Sequence, residues 1–287
     1  MTILLSENFD DVAGNASTDL TSRGWDIDSS QNGRWACVGV AGANGSAQSF
    51  RNELLSADQS PAFPEKALSA AVSTGQSIYM VVWMKFEEKD GGDYTFYNDG
   101  GNEQKLFYCR AWDGGSAFSG AMAWRNEISC LSNGGDNKSG ILRLDFNIHD
   151  DHYLQNVGSA FLLQSHTWYI FQCYFKISGN NTADGEAKFW VTDTSGTYNG
   201  GAETLIMDYT GVNMRTPTNP DPTENNVTTF WISSNWGGLG NPTHEDQYIY
   251  YDEIEVNTEK VDTGGGGGYS KQGFIRNGGS FVKVGQQ

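Results

Sequence analysis

Residues 166–256 constrain the fold of this chain more than any other region, because they contain two strand-and-turn units. The first reads HTWYIFQCYFKISGNNTADGEAKFWVTD and the second reads FWISSNWGGLGNPTHEDQYIYYDEIEV. Apolar and polar residues alternate along 168–177 and 186–191, as is typical of strands with one buried and one wet face. Asparagine, aspartate and glycine residues lie between these two strands and favour a turn. The pattern predicts antiparallel sheet.

The rest of the chain repeats this rhythm. It contains 36 glycines, 15 phenylalanines, 13 tyrosines, 9 tryptophans and only 6 prolines in 287 residues, which suits many short strands joined by turns. No long helical period is present. Residues 77–86 (SIYMVVWMKF) form the most apolar run and are expected to be a central strand. Other strands are predicted at 3–9, 94–97, 105–111, 120–128 and 140–148.

The segments TWY…YFKI…DGEAKFWV and YIYYDEIEV resemble the concanavalin A-like jelly-roll sandwiches, in particular polysaccharide lyases of the alginate and heparin type and their LamG-like lectin relatives. The resemblance covers about the last third of the sandwich and implies an all-β, antiparallel β-sandwich. We expect one jelly-roll domain over residues 1–262, since sandwiches of this length fold as single domains.

Residues 263–287 differ from the rest of the chain. Five consecutive glycines (264–268) form a flexible linker, and the sequence GFIRNGGSFVKV then predicts a hairpin around an Asn-Gly turn. An isolated hairpin is only marginally stable in water. We therefore expect this arm to pair with another subunit or a larger protein assembly. The residues assigned to the arm are Phe274, Ile275, Arg276, Phe281 and Val282.

The charge balance limits the partners. The chain has 18 lysines and arginines against 35 aspartates and glutamates, a net charge of −17, so nucleic acid is not expected to bind. No apolar run is long enough for a membrane helix, and the opening MTILLSENFDD lacks the apolar core of a signal peptide. The four cysteines are widely spaced and contain no C-x-x-C pair, and we interpret them as free rather than zinc-binding.

A structural calcium ion is one expected cofactor. The resemblance implies calcium near the paired first and last strands, and Glu7, Asp10 and Asp252 supply carboxylates there.

Two segments resemble the R-S-E-L strand of alginate lyases: FRNEL with Arg51, and WRNEI with Arg125. A lyase that acts on uronic acid polymers needs a group that neutralises the substrate carboxylate and a base that removes the adjacent proton. The candidate bases are His149, His152 and Tyr153, in NIHDDHY.

The catalytic pattern is incomplete, because Asn147 stands where the alginate enzymes have the glutamine of Gln-x-His. The two arginines also have a purely structural interpretation, which we favour. In it each arginine forms an ion pair with the glutamate two residues further along its strand, Glu53 or Glu127. Glycoside hydrolysis is ranked below elimination, because no E-x-D-x-x-E-like strand is present.

Carbohydrate binding without catalysis requires only exposed aromatic rings and a few polar groups. Trp124, Arg125 and Trp236 are the candidates for such a surface. The sequence favours a non-catalytic, lectin-like structural protein of a homo-oligomeric assembly, such as a virion decoration or fibre component that binds glycans. Its expected location is a virion or particle surface, with the cytoplasm as the alternative. A uronate-cleaving polysaccharide lyase of the same fold is the alternative function.

Overall fold

The computed structural model describes residues 1–12, 17–27, 34–39, 46–55, 64–96, 104–111, 124–133, 136–148, 151–156, 161–179, 182–213, 226–232, 245–261, 274–277 and 280–283. Two antiparallel sheets dominate this part of the chain. No helix in these ranges is long and apolar enough to cross a membrane.

The first sheet has eight strands, in the order β14, β13, β12, β6, β16, β4, β3, with β1 also paired to β16. Its strands are β1 (Ile3–Glu7), β3 (Trp35–Val38), β4 (Ser49–Leu54), β6 (Ser77–Glu88), β12 (Tyr169–Lys176), β13 (Gly185–Asp193), β14 (Thr204–Val212) and β16 (Gln247–Asn257). The apolar run β6 lies between β12 and β16, which confirms the prediction of a central strand.

The second sheet also has eight strands, in the order β10, β9, β8, β7, β15, β5, β2, with β11 paired to β9. Its strands are β2 (Trp25–Asp26), β5 (Glu65–Val72), β7 (Gln104–Ala111), β8 (Trp124–Asn133), β9 (Asp136–Ile148), β10 (Asp151–Asn156), β11 (Leu163–Gln164) and β15 (Val227–Ile232). A short helix, α1 (Ser17–Ser22), precedes β2, and a 3₁₀ turn (Asn199–Gly201) precedes β14.

The main hydrophobic core lies between the inner faces of the two sheets. Phe107 of the second sheet stacks on Phe171 of the first, with ring centres 6.5 Å apart. The Tyr251 hydroxyl of β16 donates to the Leu106 carbonyl of β7 at 2.9 Å. All-β class, antiparallel pairing and jelly-roll sandwich are therefore confirmed.

A second, smaller hydrophobic cluster contains β6 residues Val81 and Trp83, together with Trp168, Ile170, Tyr248 and Tyr250. Val81 and Trp83 alternate along β6 with the core residues Val82 and Met84, so this cluster lies on the outer face of the first sheet. Burial on both faces explains why β6 is continuously apolar.

One predicted strand is wrong. Residues 94–96 are outside any strand, although Tyr94 and Phe96 are fully buried in the core. The Tyr94 amide donates to the Ser165 side chain at 2.7 Å, and its hydroxyl donates to Gln104 at 3.2 Å. Side-chain partners thus satisfy the polar groups of Tyr94.

The C-terminal hairpin is present, formed by β17 (Phe274–Asn277) and β18 (Ser280–Lys283). The two strands pair with each other through four opposed positions, from Phe274 opposite Lys283 to Asn277 opposite Ser280. Association of this arm with a second subunit or a larger assembly stays a prediction, as does the division of the chain at residue 262.

Candidate functional site

The candidate functional site is a row of polar positions that crosses the second sheet. Arg110 of β7 is opposite Arg125 of β8, and Arg125 is opposite Asn147 of β9. Asn147 is in turn opposite His152 of β10. Directly opposed positions in antiparallel strands belong to the same face of a sheet, so the four positions form one row.

This row belongs to the outer face of the sheet. In β7, Phe107 and Cys109 are members of the hydrophobic core, whereas the alternate residues Tyr108 and Arg110 are not. Strand residues alternate between the two faces, and therefore Arg110 and the positions opposed to it face away from the core.

Arg110 is held in a charged and aromatic environment. Its guanidinium carbon lies 4.0 Å from the centre of the Trp231 ring, and its Nη2 donates to a Glu65 carboxylate oxygen. Tyr108 packs against the same Trp231 ring, with 4.9 Å between the two ring centres. Arg110 is only 1% exposed, so this arginine fixes neighbouring groups rather than binding a ligand freely.

The Glu65 carboxyl responds to two opposing effects. Burial raises its pKa above the ordinary value, and the nearby Arg110 charge lowers it, with a net rise. Glu65 of β5 is opposite Trp231 of the neighbouring strand β15. The ion pair between Glu65 and Arg110 therefore forms next to the Trp231 ring.

The structure brings together only some of the lyase candidates. Arg125 and His152 share the polar row through Asn147. Tyr153 is opposite Phe146, one residue out of step with the row, and therefore belongs to the other face. His149 lies outside the described residues.

Arg51 does not belong to this row, because β4 is part of the first sheet. Its guanidinium carbon lies 4.2 Å from the centre of the Tyr248 ring. The expected Arg51–Glu53 pair gives way to a Glu53–Lys89 pair at 2.6 Å. Arg51 thus contributes to the outer face of the first sheet.

The carbohydrate-binding candidates are only partly placed. Trp124 begins β8 and is opposite Ala111 of β7. Trp236 lies outside the described residues. An exposed aromatic platform at these tryptophans stays a prediction.

Three further residues at the site were missed from the sequence: Tyr108, Arg110 and Asn147. Asn147 was counted only as a departure from Gln-x-His, although amides are suited to neutralising a carboxylate. The alternation of Phe107, Tyr108, Cys109 and Arg110 was the available signal.

The predicted calcium ligands lie where the first and last strands pair, but Glu7 is already committed. It accepts hydrogen bonds from Arg23 at 3.0 Å, from the Trp25 indole at 3.0 Å and from Lys66 at 3.1 Å. An acid with three such donors is poorly suited to a metal ion.

Asp10 and Asp252 have backbone and hydroxyl donors. Asp10 accepts from the Ala47 amide at 2.7 Å, and Asp252 accepts from Ser46 and from the Glu253 amide. Burial raises the pKa of Asp252 to about 7. Within the described ranges, no group of three or more histidine, cysteine, aspartate or glutamate side chains can hold a metal ion. Calcium binding stays a prediction.

Comparison with known proteins gives structural but no sequence matches. No protein-family model matches the chain, and no curated protein matches it. The marine PL-14 alginate lyase from Aplysia kurodai superimposes with a TM-score of 0.63 and 15% identity, over 90% of this chain and 100% of that one. Alginate lyase Aly36B gives 0.59 and 17%, over 88% and 96%. The endo-β-1,4-glucuronan lyase from the fungus Trichoderma reesei gives 0.57 and 12%, over 91% and 98%.

These matches correct the function expected from the sequence. We expected a non-catalytic virion decoration or fibre protein, and that prediction is wrong, because the three solved structures named above superimpose along nearly the whole chain and are polysaccharide lyases. A virion or particle-surface location also has no support. What the comparisons establish is the fold: this chain is a jelly-roll β-sandwich of the kind found in alginate and glucuronan lyases.

Proposed function

We propose that the protein is a polysaccharide lyase that cleaves a uronate-containing polysaccharide by β-elimination on the outer face of the second sheet. The observation that carries the proposal is the register of three neighbouring strands, which aligns Arg125, Asn147 and His152 in one row. The fold shared with alginate and glucuronan lyases supports the same reaction class.

The reaction requires two groups close together, because the proton to be removed is on the carbon that carries the substrate carboxylate. Opposed positions on neighbouring antiparallel strands are about 4.5–5.5 Å apart. His152 and Asn147 are opposed in this way, as are Asn147 and Arg125. The row therefore has the spacing that a base beside a carboxylate-binding pair needs.

In the proposed reaction, Arg125 and Asn147 bind the uronate carboxylate and stabilise the negative charge that develops on it. Neutral His152 takes the proton from the adjacent carbon. The electron pair of the broken C–H bond forms a carbon–carbon double bond, and the glycosidic oxygen leaves with the electrons of its bond and takes up a proton from water. Protonated His152 then returns its proton to the solvent. The products are a new chain end and an unsaturated uronate.

Arg110 has a supporting role in this scheme. Its guanidinium is fixed by Glu65 and Trp231, and its backbone is opposite Arg125. We assign it to holding β7 against β15 and β5 beside the row.

The proposal is tested by replacing His152 with alanine and measuring the ultraviolet absorbance of unsaturated product from alginate and glucuronan. Loss of a general base lowers the rate about 10²–10⁴-fold, and we expect a loss in this range. His166→Asn is the matched histidine control, because His166 is exposed and its φ of 62° suits asparagine. Full activity in a folded His152→Ala variant would contradict the assignment of the base.

A further inference from the structure

One long strand, β14, forms an edge of the first sheet. It pairs with β13 on one side, and among the described strands none pairs with its other side. It has nine residues, and no other described strand with a single partner is longer than six. An unpaired edge presents backbone N–H and C=O groups to any strand that approaches it. β14 is therefore the longest template for strand pairing in the described part of the chain.

The sequence of β14 gives this edge little protection. Edge strands commonly contain lysine or proline, which disfavour pairing with another chain. β14 reads TLIMDYTGV and contains neither. Its one charged residue, Asp208, is paired with Lys188 of β13 at 3.1 Å. The composition of β14 thus permits the addition of a further strand.

Leu205 provides apolar surface at this edge. A register shift in the pairing of β13 with β14 sets Met207 opposite Phe189 of the core and Leu205 opposite the next residue, Trp190. Opposed residues share a face and successive residues alternate, so Leu205 lies on the outer face. Met207 is 6% exposed, whereas Leu205 is 46% exposed. A strand added to β14 would remove part of the Leu205 side chain from water.

The chain that follows the last strand of the sandwich leads to this edge. After β16, the Val261 amide donates to the Gln172 side chain of β12 at 2.9 Å. Lys260 Nζ lies 4.4 Å from the centre of the Trp190 ring of β13 and pairs with Glu203. Glu203 directly precedes β14. The chain therefore crosses β12 and β13 and reaches the beginning of β14.

The hairpin of β17 and β18 is within reach of such an edge. Residues 262–273 connect Val261 to the hairpin, and at about 3.5 Å per residue they span at most about 40 Å. β14 itself is about 30 Å long at about 3.3 Å per residue. In the described structure the two hairpin strands pair only with each other, so each has one side without a partner strand.

Charge favours contact between the hairpin and the sandwich. Residues 263–287 contain three of the 18 lysines and arginines and none of the 35 aspartates and glutamates. The other 15 cationic residues and all 35 acidic residues belong to residues 1–262. A basic arm is attracted to an acidic body.

We propose that the β17–β18 hairpin of one molecule adds to the β14 edge of a second copy of this chain, and that two copies exchange their hairpins reciprocally. Each copy has one hairpin and one such edge, so a two-fold dimer uses both in each molecule. Main-chain hydrogen bonds between the added strand and β14 supply the affinity. This inference does not depend on the proposed function, because β14 belongs to the first sheet.

The first test measures the mass of the full-length protein by light scattering over a series of concentrations. We expect a dimer of twice 31.4 kDa that dissociates on dilution. Leu205→Lys removes the apolar contact and places a cation beside the basic arm, and should weaken the dimer about tenfold or more. Ala70→Lys is the matched control, because Ala70 is an exposed residue of β5 in the second sheet.

Disulfide cross-linking distinguishes a second copy from the molecule's own edge. Leu205→Cys protein is mixed with Ile275→Cys protein, and separately with Val282→Cys protein, and each mixture is oxidised mildly. The four native cysteines are buried and compete little. We expect a cross-linked dimer in at least one mixture, well above the level that each variant gives alone.

Three results would overturn the proposal. The first is a monomer at every concentration. The second is a dimer that Leu205→Lys weakens no more than Ala70→Lys does. The third is a cross-link that forms only within one chain, when Leu205→Cys is combined with Ile275→Cys or Val282→Cys in the same molecule, because the hairpin would then pair with its own β14.

Discussion

The Arg110 guanidinium stacks on the Trp231 ring, with 4.0 Å between the guanidinium carbon and the ring centre. Glu65 pairs with the same guanidinium. The three residues come from β7, β15 and β5, which are neighbours in the second sheet. The contact therefore ties together three strands that are distant in sequence.

Glu65→Gln should destabilise the protein, because it leaves the buried Arg110 charge without its carboxylate. Breaking a buried pair from one side costs about 3 kcal/mol, and urea unfolding measures this free energy. Glu259→Gln is the control, since the Glu259 side chain is 65% exposed beside the N-terminus, and little change is expected there. A loss below about 1 kcal/mol for Glu65→Gln would contradict this prediction, because an exposed surface pair contributes as much.

Asp252 should make stability depend on pH in an unusual direction. Its pKa is about 7 in the folded protein, against an ordinary 3.8, so the folded state holds the proton more tightly than the unfolded state. The free energy of unfolding contributed by this group falls as pH rises from about 4 to about 7, by a few kcal/mol. Asp252→Asn removes this contribution.

The measurement is urea unfolding of the wild type and Asp252→Asn between about pH 4.5 and about pH 8, a range that covers most of the interval between the two pKa values and extends above the higher one. As pH rises, we expect the free energy of unfolding of Asp252→Asn to increase relative to that of the wild type. Parallel curves would contradict the raised pKa. Repeating the pH 8 measurement with calcium and with a chelator tests the calcium prediction, which requires a calcium-dependent stabilisation that Asp252→Asn abolishes.

Replacing Glu7, at the end of the first strand, should destabilise the protein. The Glu7 side chain is 4% exposed and pairs with both Arg23 and Lys66, so Glu7→Gln removes one charge that two cations share. We expect a loss of about 3 kcal/mol in the free energy of unfolding. Asp11→Asn is the comparison, because Asp11 also pairs with Arg23 but is 78% exposed. Equal effects of the two variants would contradict the importance of burial.

The four cysteines should be inert in the folded protein. Cys37, Cys109, Cys130 and Cys173 are all buried, and burial raises the pKa of Cys37 and of Cys109 to about 12. Because the thiolate is the reactive form, a thiol reagent should label the native protein very slowly and the urea-unfolded protein fully. Fast labelling of the native protein would contradict the inward position of these residues.

Much of the fold could be predicted because strand alternation is a local property. The apolar run of β6 and the closing YIYYDEIEV needed no knowledge of distant residues. Tyr94 and Phe96 were misread because buried aromatic residues look alike in a strand and in a loop. The polar partners of Tyr94 in the loop, Ser165 and Gln104, come from other parts of the chain.

The candidate site could be predicted only in part, because strand pairing determines it. FRNEL and WRNEI are nearly identical locally, yet Arg51 is in the first sheet and Arg125 is in the second. The alignment of Arg125 with Asn147 and His152 depends on register, and a shift of one residue would place them on opposite faces. The Arg110, Glu65 and Trp231 contact joins residues too distant in sequence for any local pattern.

The most direct test of the central claim is the mass of the products that the purified protein releases from alginate and glucuronan. Elimination yields a chain end that is lighter by one water than the product of hydrolysis and that absorbs ultraviolet light. We predict products of this lower mass, formed by the wild type and by His166→Asn but greatly reduced with His152→Ala. Products of hydrolytic mass, or intact polymer after prolonged incubation, would contradict the lyase proposal.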